Sequence, residues 1–228
     1  MTGVYRPTRV RSAPCDPPWP ARPATIHGVP VPAQTWVTPV ALEGSRIRLE
    51  PLAEQHFEDL ARVGLDDVIW RWITGLPMNE AGLRAWFDQT QANALAGTEV
   101  PFATIDAASG RAIGSTRFMS ITPEHRRLEI GWTWVGTAYQ RTGANRAAKF
   151  LQLTHAFETL DAERVEFKTH ARNEASRNAL IGIGARFEGV LRHHTIMPDG
   201  SNRDSAFYSV LAAEWPYVKA RLEALLAR

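Results

Sequence analysis

Cysteine is almost absent from this sequence, and other features that define whole classes of protein are missing as well. The single cysteine, Cys15, excludes an internal disulfide, so we expect a reducing compartment, the cytoplasm. No apolar run approaches the ~20 residues that a membrane span needs. The arginines near the N-terminus precede no apolar segment of the kind that a signal peptide contains. We therefore expect no membrane association.

A strong charge of either sign is also missing. The formal net charge is only +2 for 228 residues, and 22% of the residues are charged. Residues 1–39 carry four arginines against one aspartate, which leaves 22 basic and 23 acidic residues in the rest of the chain. Such a balance gives no electrostatic footprint for nucleic acid, so we expect no nucleic-acid partner.

Proline is concentrated at one end of the chain. Nine of the 15 prolines fall within residues 1–39, where they remove backbone donors and disfavour helix. We predict a Pro-rich extension over residues 1–40, with no chemistry of its own, followed by one domain over residues 41–228. The extension is either a flexible or polyproline-like tail, or an arm held on the domain by Trp19, Ile26 or Trp36.

Hydrophobic periodicity predicts alternating strands and helices through the domain. The predicted strands are residues 45–52, 99–106, 112–121, 127–135, 164–170, 187–197 and 204–211. The predicted helices are residues 54–65, 79–96, 144–160 and 173–183 and one that starts at 214; residues 66–77 form a loop or broken helix.

The stretch from Arg127 to Leu160 combines a strand, a short turn and a helix. Apolar residues alternate with others along the strand, which predicts that one face carries Leu128, Ile130, Trp132 and Trp134. A turn of small and polar residues, 140–145, leads directly into the helix. Such a helix start presents unpaired backbone N–H groups and the positive end of the helix dipole, which suits a pyrophosphate.

This turn resembles the Gln/Arg-x-x-Gly-x-Gly/Ala loop of the GNAT acyltransferases, with Gln140 and Gly143 in place and Asn145 where Gly or Ala is usual. The order of elements over residues 43–213 is similar to that of the GNAT fold. Short motifs such as Glu129-Ile-Gly-Trp132, Asn173-x-x-Ser176 and Glu188-Gly-Val-Leu-Arg192 resemble the RimJ/RimL-like branch. The resemblance implies an α/β (α+β) fold with a mixed, mostly antiparallel central sheet of about six to seven strands flanked by helices.

The resemblance also implies a site for acetyl-CoA as cosubstrate. The pyrophosphate would lie on the turn formed by Gln140, Arg141, Thr142, Gly143, Ala144 and Asn145. The strand edge at Trp134 and Val135 would pair with the pantetheine arm, and Asn173 and Ser176 would contact it. Ser176 would donate to the departing sulfur, because Leu180 stands where many members carry a tyrosine acid. Without a ligand, Gly143 would simply be a helix-entry glycine, and Asn173 and Ser176 would be helix caps.

Glu129 is the predicted general base, acting through water, or else a charged residue on a sheet face beside a polar neighbour. His170 and His193 are alternative bases. His193 and His194 are adjacent, so on a regular strand they face opposite sides, and His155 and His170 have no ligand-like spacing to them. We therefore predict no metal site.

The acceptor is predicted to be a primary amine. Trp70, Trp72 and Trp86 either wall an acceptor slot or pack in the core. Deprotonating an α-amine of pKa ~8 at pH 7 costs about 1.4 kcal/mol, against about 4.6 kcal/mol for a lysine amine. A site with one candidate base therefore favours an α-amine, on a protein N-terminus or a small aminoacyl compound. We expect the protein to be a monomer or a homodimer. The alternative is a non-catalytic CoA-binding or interaction module, which Asn145 favours.

Overall fold

The computed structural model describes residues 36–74 and 77–227, and Cys15, Trp19, Ile26 and most of the predicted extension lie outside this part. The described residues form seven strands: β1 (Ile47–Pro51), β2 (Val100–Asp106), β3 (Ala112–Thr122), β4 (Arg127–Val135), β5 (Arg164–His170), β6 (Arg186–Ile196) and β7 (Asn202–Leu211). The helices are α1 (Phe57–Gly64), α2 (Asp67–Trp70), α3 (Glu80–Leu95), α4 (Ala144–Thr154), α5 (Glu174–Ile183) and α6 (Trp215–Leu226).

The strands form one sheet in the order β1-β2-β3-β4-β5-β7-β6. Every neighbouring pair is antiparallel except β4 and β5, which are parallel. The predicted mixed, mostly antiparallel sheet of six to seven strands is therefore confirmed. Strand β5 has the predicted bounds, and the predicted helix 144–160 divides into α4 and one π-helical turn, His155–Thr159.

Two hydrophobic clusters cover the sheet. On one side, strand residues such as Leu49, Phe102, Phe118 and Val165 pack under α4, α5 and α6. On the other side, α1, α2 and α3 cover only the N-terminal half of the sheet, through residues such as Leu60, Phe87 and Ile105. The rest of this second side carries Glu129, Glu166, Lys168, His170, Ser205 and Phe207, none of which belongs to either cluster, and we call it the polar face.

Strands β4 and β5 separate soon after they meet. They pair only over Arg127–Glu129 and Arg164–Glu166 in the described part of the chain, although β4 continues to Val135 and β5 to His170. No strand of the described residues lies between the facing edges beyond these pairs. The sheet therefore contains an opening that begins beside Glu129, with backbone groups available on its β4 edge.

A bulge in β4 corrects the predicted alternation of this strand. Trp132 has a left-handed φ of 47°, and the pairing with β3 shifts between Ser115 and Arg117. The extra residue reverses the phase of the side chains. Ile130 therefore packs under α4 as predicted, whereas Trp134 packs against α1 and α3 on the opposite side of the sheet.

The domain includes residues upstream of its predicted start at residue 41. The Trp36 indole Nε1 donates to the Leu160 carbonyl at 2.8 Å, and Val37 is buried in the larger cluster. Trp36 thus holds this part of the chain on the domain.

Candidate active site

The turn before α4 has the backbone geometry of an anion site. Gly143 adopts a left-handed φ of 94°, which glycine accepts without strain. The first hydrogen bond of the helix runs from the Ala147 N–H to the Gly143 carbonyl, so the N–H groups of Asn145 and Arg146 have no partner within the helix. The Ala144 N–H has only a long contact to Thr142 Oγ1, 3.4 Å.

Three arginines surround this turn. A cavity of about 370 Å³ is lined by Arg46, Arg141, Thr142, Gly143, Arg146, Leu225 and Leu226. Arg46 Nη1 donates to the Thr142 carbonyl at 2.9 Å, and Arg146 Nη1 donates to the Leu225 carbonyl at 3.2 Å. Arg141 was predicted at this site, but Arg46 and Arg146 were not. Three guanidiniums beside free N–H groups fit the phosphates of coenzyme A.

The β4 end of the opening lies next to the same turn. Gln140 Nε2 approaches the Val135 carbonyl at 3.4 Å, which joins the turn to the end of β4. The side chain of Trp134 is 4% exposed and belongs to the core. Only the backbone at Trp134 and Val135 is therefore suited to pair with an extended ligand.

Asn173 and Ser176 lie at the start of α5, directly after β5. Asn173 Oδ1 accepts the Ser176 N–H at 3.1 Å, which is the hydrogen bond of a helix cap. Ser176 is half-buried, and its hydroxyl forms no hydrogen bond with the described part of the chain. Leu180, one turn further along, is buried. The Ser176 hydroxyl is the free donor here.

Glu129 is held at the base of the opening with a cation beside it. Its side chain is buried, and Oε2 accepts from Ser120 Oγ at 3.3 Å and from Lys168 Nζ at 3.4 Å. Burial raises the pKa of Glu129, while the charge and hydrogen bond of Lys168 oppose this rise. The sequence did not identify Lys168, although its place in the β5 alternation puts it on the polar face.

The three tryptophans that were predicted to wall an acceptor slot do not lie together. Trp70 is fully buried, donates Nε1 to the Gly64 carbonyl at 2.6 Å, and packs against Trp134 at 5.3 Å. Trp86 is also buried and packs against Trp134 at 5.6 Å. Core packing describes both of these residues, because neither reaches an opening. Trp72 is half-buried with its ring 4.7 Å from that of His170, so it alone reaches the polar face.

The histidines are not arranged as the regular strand predicts. A bulge in β6 between Leu191 and Thr195 gives His193 a left-handed φ of 49° and brings His194 Nδ1 within 3.2 Å of Ser205 Oγ. His170 Nδ1 accepts the Arg172 N–H at 3.1 Å. A neutral imidazole has one lone pair, and this bond uses it, so the geometry disfavours His170 as a base.

The described residues, 36–74 and 77–227, offer neither a metal-binding group nor a membrane-spanning helix. They contain no group of three or more His, Cys, Asp or Glu that is placed to hold a metal ion. None of their helices is long and apolar enough to cross a membrane.

The chain is similar to known acetyltransferases in sequence and in structure. The family model for the acetyltransferase (GNAT) domain matches residues 46–186, more than half of the chain. The crystal structure of a GCN5-related N-acetyltransferase from Brucella melitensis is 33% identical and superposes with a TM-score of 0.76, over 83% of this chain and 86% of that one. Mycobacterium smegmatis RimJ, solved in complex with CoA-disulfide, is 23% identical and shares the fold, with a TM-score of 0.71 over 84% of this chain and 96% of that one.

A curated relative extends this similarity. The Bacillus subtilis protein named "Putative ribosomal N-acetyltransferase YdaF" is 31% identical over 106 residues, which are 46% of this chain and 57% of that protein. The chain thus spans little more than half the length of the curated relatives that it matches. The domain match covers Glu129, the turn around Gly143 and the start of α5, and the Brucella structure is 33% identical over most of this chain. The chain belongs to the GNAT acetyltransferase family.

Proposed function

We propose that this protein transfers the acetyl group of acetyl-CoA to the α-amine of a protein N-terminus or of a small aminoacyl compound. The observation that carries the proposal is the anion site at the start of α4, with Arg46, Arg141 and Arg146 around Gly143. The site stands beside the open edge of β4, where a pantetheine arm can pair with the backbone. The name of YdaF, a putative ribosomal N-acetyltransferase, agrees with an amine acceptor on a protein.

The reaction requires that one proton is removed from the amine and that one is supplied to the leaving sulfur. The neutral amine nitrogen attacks the thioester carbonyl, the C–N bond forms, the C–S bond breaks, and the amine proton leaves. We propose that Glu129 takes this proton through water, because burial raises the pKa of its carboxyl toward the working range of a general base. We propose that the free Ser176 hydroxyl donates to the leaving sulfur, whose thiol has an ordinary pKa near 8.5.

The preference for an α-amine follows from the base. Glu129 is paired with Lys168 at 3.4 Å, and this cation makes the carboxylate a weaker base than burial alone would. A weak base removes a proton from an amine of pKa ~8 at a cost of about 1.4 kcal/mol at pH 7, whereas a lysine amine costs about 4.6 kcal/mol.

Asn145 supports a second candidate, a non-catalytic module that binds CoA or a partner. Its side chain takes the place of a small residue in the turn, and its Oδ1 is buried without a hydrogen-bond partner in the described part of the chain. An obstructed phosphate turn would bind the cofactor poorly or in an unreactive pose.

The experiment combines binding with product analysis. We expect acetyl-CoA to raise the melting temperature, and Gly143→Glu to abolish this rise through bulk and charge. A free-N-terminus peptide and a blocked peptide with one lysine then compete for acetyl-CoA, and mass spectrometry locates the product. Modification mainly at the lysine would refute the α-amine preference. Tight CoA binding with no thiol release from any amine would favour the module.

A further inference from the structure

Three arginines from separate segments meet around one aromatic pair. The Arg71 Cζ lies 4.9 Å from the centre of the Trp72 ring, and the Arg172 Cζ lies 5.7 Å from it. The Trp72 ring packs on His170 at the end of β5. Burial lowers the pKa of the His170 imidazole, and the charges of Arg172 and of the nearby Arg203, at the start of β7, lower it further. We call these five residues the Trp72 cluster.

The three guanidiniums of the Trp72 cluster are not neutralised. None forms an ion pair with any residue in the described part of the chain. Arg164, further along the same side of the sheet, is neutralised instead, because it bonds to both Glu166 and Glu188. The carboxylate of Asp204, next to Arg203, accepts the His193 N–H instead. Positive charge therefore accumulates at the end of the polar face where Trp72 overhangs the sheet.

Arg203 is the member of the Trp72 cluster that has a buried, unpaired donor. Its side chain is half-buried, and burial lowers the pKa of its guanidinium. Its Nε is buried and has no hydrogen-bond partner among residues 36–74 and 77–227. An unpaired buried donor is costly, so Arg203 is poised for an acceptor from outside the chain. The Glu129 carboxylate attracts its charge but forms no contact with it.

We propose that the Trp72 cluster binds a carboxylate carried by the amine acceptor. This inference rests on the proposed function and narrows its acceptor class to amines that bear a nearby acid. Arg203 anchors the carboxylate, since a guanidinium matches its geometry with two parallel N–H groups. Trp72 covers the apolar stem, and the amine extends along the polar face toward Glu129. The acid is either an acidic side chain near a peptide N-terminus or the α-carboxylate of a free amino compound.

Two matched pairs of acceptors test the proposal and separate the two sources of the acid. The first pair is a C-terminally amidated peptide with Asp or Asn as its second residue. The second pair is a free amino acid and its amide. We expect kcat/KM to be at least tenfold higher for the acidic member of one pair, and that pair identifies the source. Equal kcat/KM within both pairs, with turnover proceeding, would overturn the proposal.

Variants assign the preference to the cluster. Arg203→Met should reduce the acid-to-neutral ratio to near one, mainly through KM, and Arg203→Lys should retain part of it. Arg192→Met is the matched control, because Arg192 is an exposed arginine of β6 and its loss removes the same charge. A preference that survives Arg203→Met, in a variant that melts like the wild type, would contradict the assignment.

A binding measurement keeps this test apart from the test of the proposed function. Calorimetry in the presence of CoA compares the Asp and Asn peptides, and the free amino acid and its amide, without requiring turnover. Stronger binding of an acidic member, lost in Arg203→Met, supports the Trp72 cluster even if no acceptor is acetylated. Silence in the turnover assay with every acceptor would contradict only the proposed function, whereas equal binding within both pairs would contradict the cluster.

Discussion

Glu129 and Lys168 lie side by side on β4 and β5, and their pairing sets the protonation of the candidate base. Burial raises the pKa of the Glu129 carboxyl, and Lys168 is the largest influence in the opposite direction. A base works only when it is deprotonated, so activity is lost as the pH falls through this pKa. The acid limb of the pH–rate profile should therefore report the environment of one carboxylate.

We predict that Lys168→Met moves the acid limb of kcat/KM toward higher pH. Removing the ammonium leaves the carboxylate buried without its cation, so the pKa of Glu129 rises further. Turnover should fall more at pH 6.5 than at pH 9. The measurement is kcat/KM for one peptide acceptor across this range. Lys219→Met is the control, because Lys219 pairs with Glu158 on a different part of the surface.

Glu129→Gln identifies the group that titrates. In this background Lys168→Met should no longer shift the limb, because the carboxyl that responds to the lysine is gone. An acid limb that stays in place in the Lys168→Met single variant would mean that the limb belongs to the acceptor amine and that Glu129 only positions it.

Lys149 shows how strongly burial alone can lower the pKa of a lysine. Its side chain points from α4 into the sheet, where Nζ contacts Thr133 Oγ1 at 2.6 Å, Thr116 Oγ1 at 3.3 Å and Gln152 Oε1 at 3.4 Å. It is 4% exposed, and burial lowers its pKa to about 7. No carboxylate is among these contacts, so no opposite charge offsets the cost of burying the ammonium.

We predict that Lys149→Met flattens the pH dependence of stability. Between pH 7 and about pH 10.4 the unfolded chain binds a proton at this lysine that the folded chain does not, so wild-type stability rises with pH across this window. The limiting slope is about 1.4 kcal/mol per pH unit. Urea unfolding at pH 7.5 and pH 9.5 should show a gain of about 2–3 kcal/mol in the wild type that the variant lacks. Equal gains would show that the three oxygens keep the ammonium charged.

At the scale of elements, the site is built from helix starts that meet the opening between β4 and β5. The start of α4 lies beside the end of β4, and α5 starts just after the end of β5. Because the two strands are parallel, both helices start at the same end of the sheet. Unpaired backbone donors and capping side chains thus gather where the strands have separated.

Two helix caps of the same type provide a matched pair of variants. Asn79 accepts the Gly82 N–H at the start of α3, and Asn173 accepts the Ser176 N–H at the start of α5. We predict that Asn79→Ala and Asn173→Ala each lower the free energy of unfolding by about 1 kcal/mol. Only Asn173→Ala should also raise KM for acetyl-CoA, measured by thiol release. An unchanged KM would mean that Asn173 acts only as a helix cap.

At the scale of the whole molecule, the folded domain begins before the family match does. The family match begins at residue 46, but Trp36 and Val37 already pack on the domain. We propose that the residues before Trp36 contribute nothing to catalysis.

We predict that a chain starting at residue 36 keeps its melting temperature and its acetyl-CoA binding, whereas one starting at residue 41 is destabilised. The second truncation removes the hydrogen bond from Trp36 to Leu160 and the buried side chain of Val37. Together these losses amount to about 2–4 kcal/mol. Urea unfolding of both truncated chains and of the full chain measures the difference. Equal stability of the two truncated chains would show that this contact is dispensable.

Much of the architecture follows from the sequence, because strand and helix periodicity depends on near neighbours along the chain. The bounds of β5 are those predicted, Asn79 and Asn173 cap helices as their positions before apolar runs indicate, and Gly143 lies at a left-handed turn. The motif around Gly143 also indicated the family, since a phosphate turn is a local pattern of consecutive residues.

Only the tertiary structure decided which side chains share a site. The bulges in β4 and β6 appear only in the pairing of each strand with its neighbour, and they move Trp134 into the core and His194 toward Ser205. The environment of a charged side chain depends on residues that are distant in sequence, so the sequence showed neither the burial of Lys149 nor the unpaired state of Arg203. Local spacing determines which face of a regular strand or helix each residue occupies, but long-range packing determines which charges remain free to bind a ligand.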